Sequence, residues 1–550
     1  MSIQAPPARS GAPIGGEGMG ARKPECRWRA VAVWVVGSLV LFGLFLRISL
    51  SSDVNSDGAN NALQGWDLLH GHLLLHGWQI GDANFYFFEL PLNAITAAVL
   101  GLGNLAAHAA SALAYLFVAV LAVALAVRDS SGPARVVRCA VVVMVLAGPL
   151  LTGPSLRLVL EEPDHIGTSV FVLGSFLLAD LMARQPARSR RRSAVIALLV
   201  CVILTAGQFS DMTVRYVAVP AVVLVCGYRA LAARRLRSPD AALVAAAVAA
   251  VPLAVALSSV VQLLGGFTSD APRAHLAPVG QWLHNARLTW TNLRDMFGAV
   301  HEGADTRLGA LAFVLGSVCL AAAILGLLWV VYKWPRTSRA DQMLCVAIVC
   351  NVAVDMVSTL ATVGAAHELA VVLPCGAVLA ARLVPARITA APVAFAAIAL
   401  AGLAAVMPLA AAATASPVTP LTAPITAWLE AHRLSYGIGG YWLASSATVQ
   451  SGDRVEVRTI NLGVTKQGRE EVNGSRYEVN NSWYDPSLHD ATFVIADPSG
   501  GFPVAAFERA FGKPSRIHRV QRWIILIYPK NLLALLGHPG AHVPVAANSS

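Results

Sequence analysis

Residues 29–72, RAVAVWVVGSLVLFGLFLRISLSSDVNSDGANNALQGWDLLHGH, decide how this chain is read. The first half is an apolar run long enough to cross a hydrocarbon core about 30 Å thick. The second half carries Asp53, Asp57 and Asp67 and no Lys or Arg. The remainder of the chain follows the first half: 56% of its 550 residues are hydrophobic and only 13% are charged, with a mean hydropathy of +0.61. That balance excludes a soluble globular domain and leaves a polytopic membrane protein. The formal net charge is +10, but Lys and Arg gather between apolar segments rather than along one face. They read as topology signals, not as a nucleic-acid surface.

A window of about 19 residues marks eleven candidate spans. They lie near 29–50, 104–127, 137–153, 166–183, 193–209, 214–232, 240–264, 307–332, 341–363, 368–384 and 388–412, with a re-entrant piece at 90–102 as a twelfth candidate. With the N-terminus inside, the loops RDSSGPARVVR, ARQPARSRRR, YRALAARRLR and YKWPRTSR all fall on the cytoplasmic side. Shifting the count by one span would reverse this pattern, so an N-in, C-out protein of about eleven helices is expected. Residues 1–28 then form a disordered basic cytoplasmic tail and residues 29–415 the transmembrane domain. Residues 416–550, far more polar, form an extracytoplasmic α/β domain. Strands are expected in RVEVRTI (454–460), ATFVIADP (491–498) and RWIILIYP (522–529), and a helix in PVAAFERAFG (503–512). All eight cysteines lie in apolar or cytoplasmic segments, so no extracytoplasmic disulfide is expected.

On this topology the first outer loop spans about 51–90. After Asp57 it reads as an amphipathic interfacial helix, with Ala62, Leu63, Trp66 and Leu69 on one side, followed by HGW and the aromatic run FYFFELPL (85–92). Trp66 and Trp78 suit headgroup depth. An acid at a helix start is favoured by exposed amides and the dipole, so Asp57 reads either as a capping residue or as a reactive carboxylate.

The order of transmembrane helix, Asp57, interfacial helix with Leu68-Leu69-His70-Gly71, Trp78 and then FYFFELPL resembles the first outer loop of GT-C integral-membrane glycosyltransferases. The protein O-mannosyltransferase and aminoarabinose-transferase branch is the most similar. Carried over residue by residue, the catalytic Asp falls on Asp57, the acid that follows it falls on Gly58, and the Lys-Pro-Pro step falls on Glu89-Leu90-Pro91. The loss of the second acid and of the lysine marks a divergent branch. The resemblance implies a membrane-bound transferase that takes sugar from a polyprenyl-phosphate donor and passes it to a cell-envelope glycan, lipid or protein. In such a site Asp57 is the general base and positive charge holds the departing phosphate.

The second outer loop, EEPDHIGT (161–168), adds Glu161, Glu162, Asp164 and His165. These residues read equally as a divalent-cation or acceptor site and as the start of a helix at Pro163-Asp164. Glu89 joins them as a substrate candidate. Arg157, Arg215 and His367, near outer helix ends, are the candidates for the lipid phosphate, although Arg215 also stands one turn from Asp211 as a local partner. Asp355, inside the ninth span, shows no local partner. No cofactor is implied beyond that cation. Two other classes remain open: a transporter or flippase of a lipid-linked molecule, and a non-catalytic membrane protein whose outer domain recruits a partner. Transporters usually carry internal repeats, and 29–232 shows no convincing similarity to 240–412.

The topology is testable. Alkaline phosphatase, active only outside the cytoplasm, is expected to be active when fused after residue 550 and inactive when inserted in the basic loop at 186–192. The opposite pattern would invert the sidedness.

Overall fold

The computed structural model describes residues 24–151, 156–161, 165–183, 190–234, 238–269, 275–300, 306–387, 416–464 and 470–537, with single positions at 392, 396 and 414. Apart from positions 392 and 396 the expected span at 388–412, together with Glu162 and Asp164, lies outside the described residues, and the side chains of Arg157 and Glu161 are not described. The bundle is built from α1 (Pro24–Ser49), α2 (Ser56–Leu69), α3 (Glu89–Leu100), α4 (Asn104–Ala126), α5 (Pro133–Ala147), α6 (Thr168–Ala183), α7 (Arg190–Ser210), α8 (Thr213–Ala232), α9 (Pro239–Leu263), α10 (Trp282–Met296), α11 (Arg307–Tyr332), α12 (Arg339–Val357) and α13 (Val372–Arg382). Among the described residues eight helices are long and apolar enough to cross a membrane: α1, α4, α5, α7, α8, α9, α11 and α12. The expected spans at 166–183 and 368–384 appear as the shorter apolar helices α6 and α13, and the stretch near 90–102 as the short helix α3.

Burial separates the centre of the bundle from its rim. Two thirds (67%) of the apolar window of α4 is buried inside the protein, against 11% for α1 and 22% for α9. Helix α4 is therefore a core element, and α1 and α9 present Val and Leu side chains outward, as helices in contact with lipid do. Every residue of α13 is buried, which explains how an eleven-residue helix fits a span position: its neighbours surround it. Small residues permit that packing. A Cβ on Gly326 of α11 would come within 2.5 Å of the Leu379 backbone of α13, the close approach expected where glycines line helix interfaces. Helix α12 stops at Val357 instead of continuing to 363. Asn285 donates to the Ser358 carbonyl at 2.9 Å, and the chain then forms a 3₁₀ turn over Ala365–Leu369.

At one end of the bundle the loops are covered by the C-terminal domain. Its elements are α14 (Ala423–Ala431), α15 (Tyr441–Ser451) and α16 (Val504–Phe511), with a six-stranded sheet. In chain order its strands are β3 (Tyr436–Gly439), β4 (Glu456–Val464), β5 (Glu470–Gly474), β7 (Phe493–Ala496), β8 (Arg516–Val520) and β9 (Trp523–Ile527). They are ordered β5-β4-β3-β7-β9-β8, with β3 parallel to both β4 and β7 and the other pairs antiparallel. A second, three-stranded sheet joins the domain to the bundle. It sets β1 (Trp78–Ile80) of the first loop between β2 (Thr268–Ser269) of a later loop and β6 (Val479–Asn480) of the domain.

Helix α2 is amphipathic, but its polar side does not face open water. Residues from Ser56 to Gly65 are buried, Asp57 excepted, between α3 beneath and α15 above. Gly65 allows the lower contact, since a Cβ there would lie 2.6 Å from that of Asn93. Trp78 is not at headgroup depth. It is 1% exposed, packs edge-on against Trp483 and donates its indole N–H to Asp67 at 2.7 Å.

Gly326→Ala is expected to destabilise the bundle by about 1–3 kcal/mol through overpacking and to lower the thermal unfolding midpoint in detergent. Gly37→Ala serves as the control, because a Cβ there meets nothing within 4 Å.

Candidate functional site

Helix α2 begins with Asn55 in extended backbone, its side-chain oxygen accepting the Gly58 N–H at 3.0 Å. The cap is therefore Asn55, not Asp57. Asp57 stands one position inside the first turn with its carboxylate free for other partners. Asn55 donates to its Oδ2 at 3.2 Å and the Tyr441 hydroxyl donates to its Oδ1. Tyr441 opens α15 of the C-terminal domain, and its hydroxyl also lies 2.6 Å from Oε2 of Glu478, which accepts from Asn60 Nδ2 at 2.7 Å. Burial raises the Asp57 carboxyl to about 6, against the Tyr441 hydrogen bond and with the charge of Asp82. Burial and the Asp57 charge raise Glu478 to about 8.

A second group of side chains meets on the same end. His165 is buried and turns its Nδ1 to Asp211 Oδ2 at 2.7 Å, and Thr168 donates to the same oxygen. The Thr213 N–H holds the other oxygen of Asp211 at 2.7 Å. Burial alone would lower the His165 imidazole, but the charge and hydrogen bond of Asp211 outweigh it and hold the pKa well above the usual value. Asp82, in the loop between β1 and α3, lies 3.8 Å from His165 Nε2. The His367 ring stacks on that of His165 with centroids 5.7 Å apart. Ligand atoms of His165, His367 and Glu368 all lie within 4.8 Å of one another. Once His165 gives up its Nε2 proton, such a pair of imidazoles and a carboxylate, one imidazole backed by an acid, suits a divalent transition cation. Glu89 is buried at the start of α3 and its carboxylate rests against Gly167, where any side chain would collide with it. The charge of Asp82 acts on both groups, on Asp57 and on His165, His367 and Glu368.

Of the residues expected from sequence, Asp57, Glu89, His165 and His367 gather here. Arg215 does not pair with Asp211. Its Nε meets Gln208 Oε1 at 3.3 Å, because Asp211 is already engaged by a histidine 46 residues away. Asp53 accepts the Leu421 N–H at 2.9 Å and ties the first loop to the entry of the C-terminal domain. Asp355 does have a partner, Thr289 of α10, which donates to it at 2.6 Å. Sequence reading missed Asp82, Tyr441 and Glu478 and took Asp211 only as a partner for Arg215. No local spacing marks them, since each acquires its role through tertiary contacts.

No family model matches the chain, and no curated protein sequence matches it. Among solved structures, ArnT from Cupriavidus metallidurans bound to undecaprenyl phosphate superimposes with a TM-score of 0.57 at 12% identity, covering 92% of this chain and 99% of that one. The apo form of the same protein gives a TM-score of 0.39 at 14% identity over the same shares. With the undecaprenyl-phosphate form the likeness is one of fold over nearly the whole chain: a multi-helix membrane bundle with a small β-containing C-terminal domain, the architecture expected from hydropathy and strand patterning.

Proposed function

We propose that the chain is a membrane glycosyltransferase that moves a sugar from a polyprenyl-phosphate donor to an acceptor outside the cytoplasm. The acceptor is a cell-envelope glycan, lipid or protein. One observation carries this reading: Asp57, Asp82, His165, Asp211, His367 and Glu368 gather at one end of the bundle, the end covered by the C-terminal domain. That bundle has the fold of a protein whose structure holds undecaprenyl phosphate.

Asp57 is assigned as the general base. It takes the proton of the acceptor hydroxyl as that oxygen bonds to the anomeric carbon, and the bond from that carbon to the phosphate oxygen breaks, its electron pair leaving with the lipid phosphate. One base suffices for this inversion. A divalent cation, held by His165, His367 and Glu368, would supply positive charge for the phosphate. Asp211 fixes the His165 ring so that Nε2 faces that site. Arg157 and Arg215 remain the basic candidates for the phosphate, and Glu89 and the 161–164 loop the candidates for acceptor contacts.

Asp57→Asn is expected to reduce transfer by about 10²- to 10⁴-fold, read as envelope glycan composition in a strain where deletion of the chain changes it. An unchanged composition would overturn the assignment. The base must be ionised, so activity is expected to rise with pH through about 6 and level off above it. For the cation, purified protein dialysed after loading with Zn²⁺ or Mn²⁺ is expected to retain one equivalent, and the His165→Ala/His367→Ala double variant none. Equal retention by both would remove the cation from the proposal.

A further inference from the structure

The bridge from Asp57 through Tyr441 to Glu478 sets a problem in proton counting. The Tyr441 hydroxyl carries one hydrogen and lies within hydrogen-bond distance of carboxylate oxygens on both sides, Asp57 Oδ1 and Glu478 Oε2, the latter at 2.6 Å. It can donate to only one of them. If both acids were ionised, the other contact would set an oxygen lone pair against a carboxylate with no hydrogen between. A further proton must therefore sit in the bridge. Burial decides its place. Tyr441 can serve only one acid, and each acid keeps one further donor, Asn55 to Asp57 at 3.2 Å and Asn60 to Glu478 at 2.7 Å, but Asp57 is partly exposed and better able to stay ionised. Glu478 is 7% exposed, and the hydrogen-bond partners it shows are Asn60 and Tyr441.

We propose that Glu478 is held as the neutral acid and donates its proton to the Tyr441 oxygen, so that Tyr441 donates to Asp57 and fixes it as an ionised, aimed carboxylate. The C-terminal domain thus acts on the reactive loop through a positioning pair, Tyr441 and Glu478. Two further observations agree. Glu478 has φ 51, the left-handed region uncommon for a residue with a Cβ, so its backbone is held where its side chain reaches the bridge. The next two residues form β6, which pairs with β1 of the first loop and sets the height of Glu478 over α2. Burial and the adjacent Asp57 both favour the neutral form of Glu478. The titratable groups facing the bridge are Asp57 on α2, Asp82 on the following loop, and Tyr441, Tyr477 and Glu478 from the domain.

As a statement about a proton, the inference can be tested without substrate; its catalytic consequence rests on Asp57 being the base. Infrared difference spectra of the purified full chain at pH 7 are expected to show a protonated-carboxyl carbonyl band that Glu478→Gln removes and Asp57→Asn leaves in place. A band unchanged by Glu478→Gln would overturn the proposal whatever the protein transfers. Because the amide mimics the neutral acid, Glu478→Gln is also expected to keep the midpoint of the Asp57 titration. Tyr441→Phe, which removes a donor from the ionised form, is expected to raise that midpoint by about one to two pH units. A fall of the midpoint in Glu478→Gln would mean that a negative charge had been removed, and that Glu478 is ionised in the native protein. The unfolding midpoints of Glu478→Gln and Tyr441→Phe are read alongside, and a variant that does not fold leaves the other to decide.

Discussion

A charge cannot be left alone in hydrocarbon, and each ionisable side chain of a membrane bundle must find a partner or an end of the helix. In this protein the two ends meet that constraint differently. At the end carrying the basic loops, acids face arginines: Arg128 with Asp180 at 2.6 Å, Arg339 with Asp240 at 2.5 Å, and Arg382 with Asp341 at 3.0 Å. Arg138 donates to the carbonyls of Val384, Ala126 and Arg128. These contacts lock helix ends together. At the other end Asp57, Asp211, Glu368 and Glu478 have histidines, hydroxyls and amides around them, and no arginine partner among the described residues. Asp211 is paired with the His165 imidazole, whereas Asp57 and Glu478, held by hydroxyls and amides, keep basicity that an ion pair with Arg would remove. That difference, more than the number of acids, separates the end proposed as reactive from the end that locks the helices.

The first loop crosses from one system to the other. Helix α2 lies between α3 of the bundle and α15 of the domain, and β1 is paired on both edges, by a later bundle loop and by the domain. Trp78, in β1, is anchored by Asp67 of α2 and by Trp483. The N-terminal turn of α2 is therefore fixed by four segments distant in sequence. A reactive group needs such rigidity, since errors of a fraction of an ångström already weaken proton transfer.

What could be read from sequence followed length scale. A span is a local property, about twenty apolar residues, and α1, α4, α7, α8, α9 and α11 appear close to where hydropathy places them. Helix α13 is harder to recognise because its burial comes from neighbours and not from its own length. The amphipathic pattern of α2 is equally local, but a pattern reports only that one side is polar. Here α15 covers that side, and Trp78, which suits an interface by type, is an interior residue. Pairings were the least legible. The spacing of Asp211 and Arg215 suggested a helical ion pair, yet a buried carboxylate between a histidine and a threonine from another loop is better satisfied than one beside a half-exposed Arg. Asp355, without a visible local partner, finds Thr289 across α10.

The same scale explains Gly58. Judged locally, a glycine after the candidate base looks like the loss of a second acid. In the fold Gly58 is buried in the first turn of α2, and its N–H is taken by the Asn55 cap. The acid that stands near Asp57 comes instead from Glu478, through a tyrosine 384 residues along the chain. An acid supplied from another domain has a property that an adjacent residue lacks: it is present only when that domain is docked. With Asp57 as the proposed base, docking of the C-terminal domain and readiness of Asp57 are one structural event, linked through the Tyr441 hydroxyl.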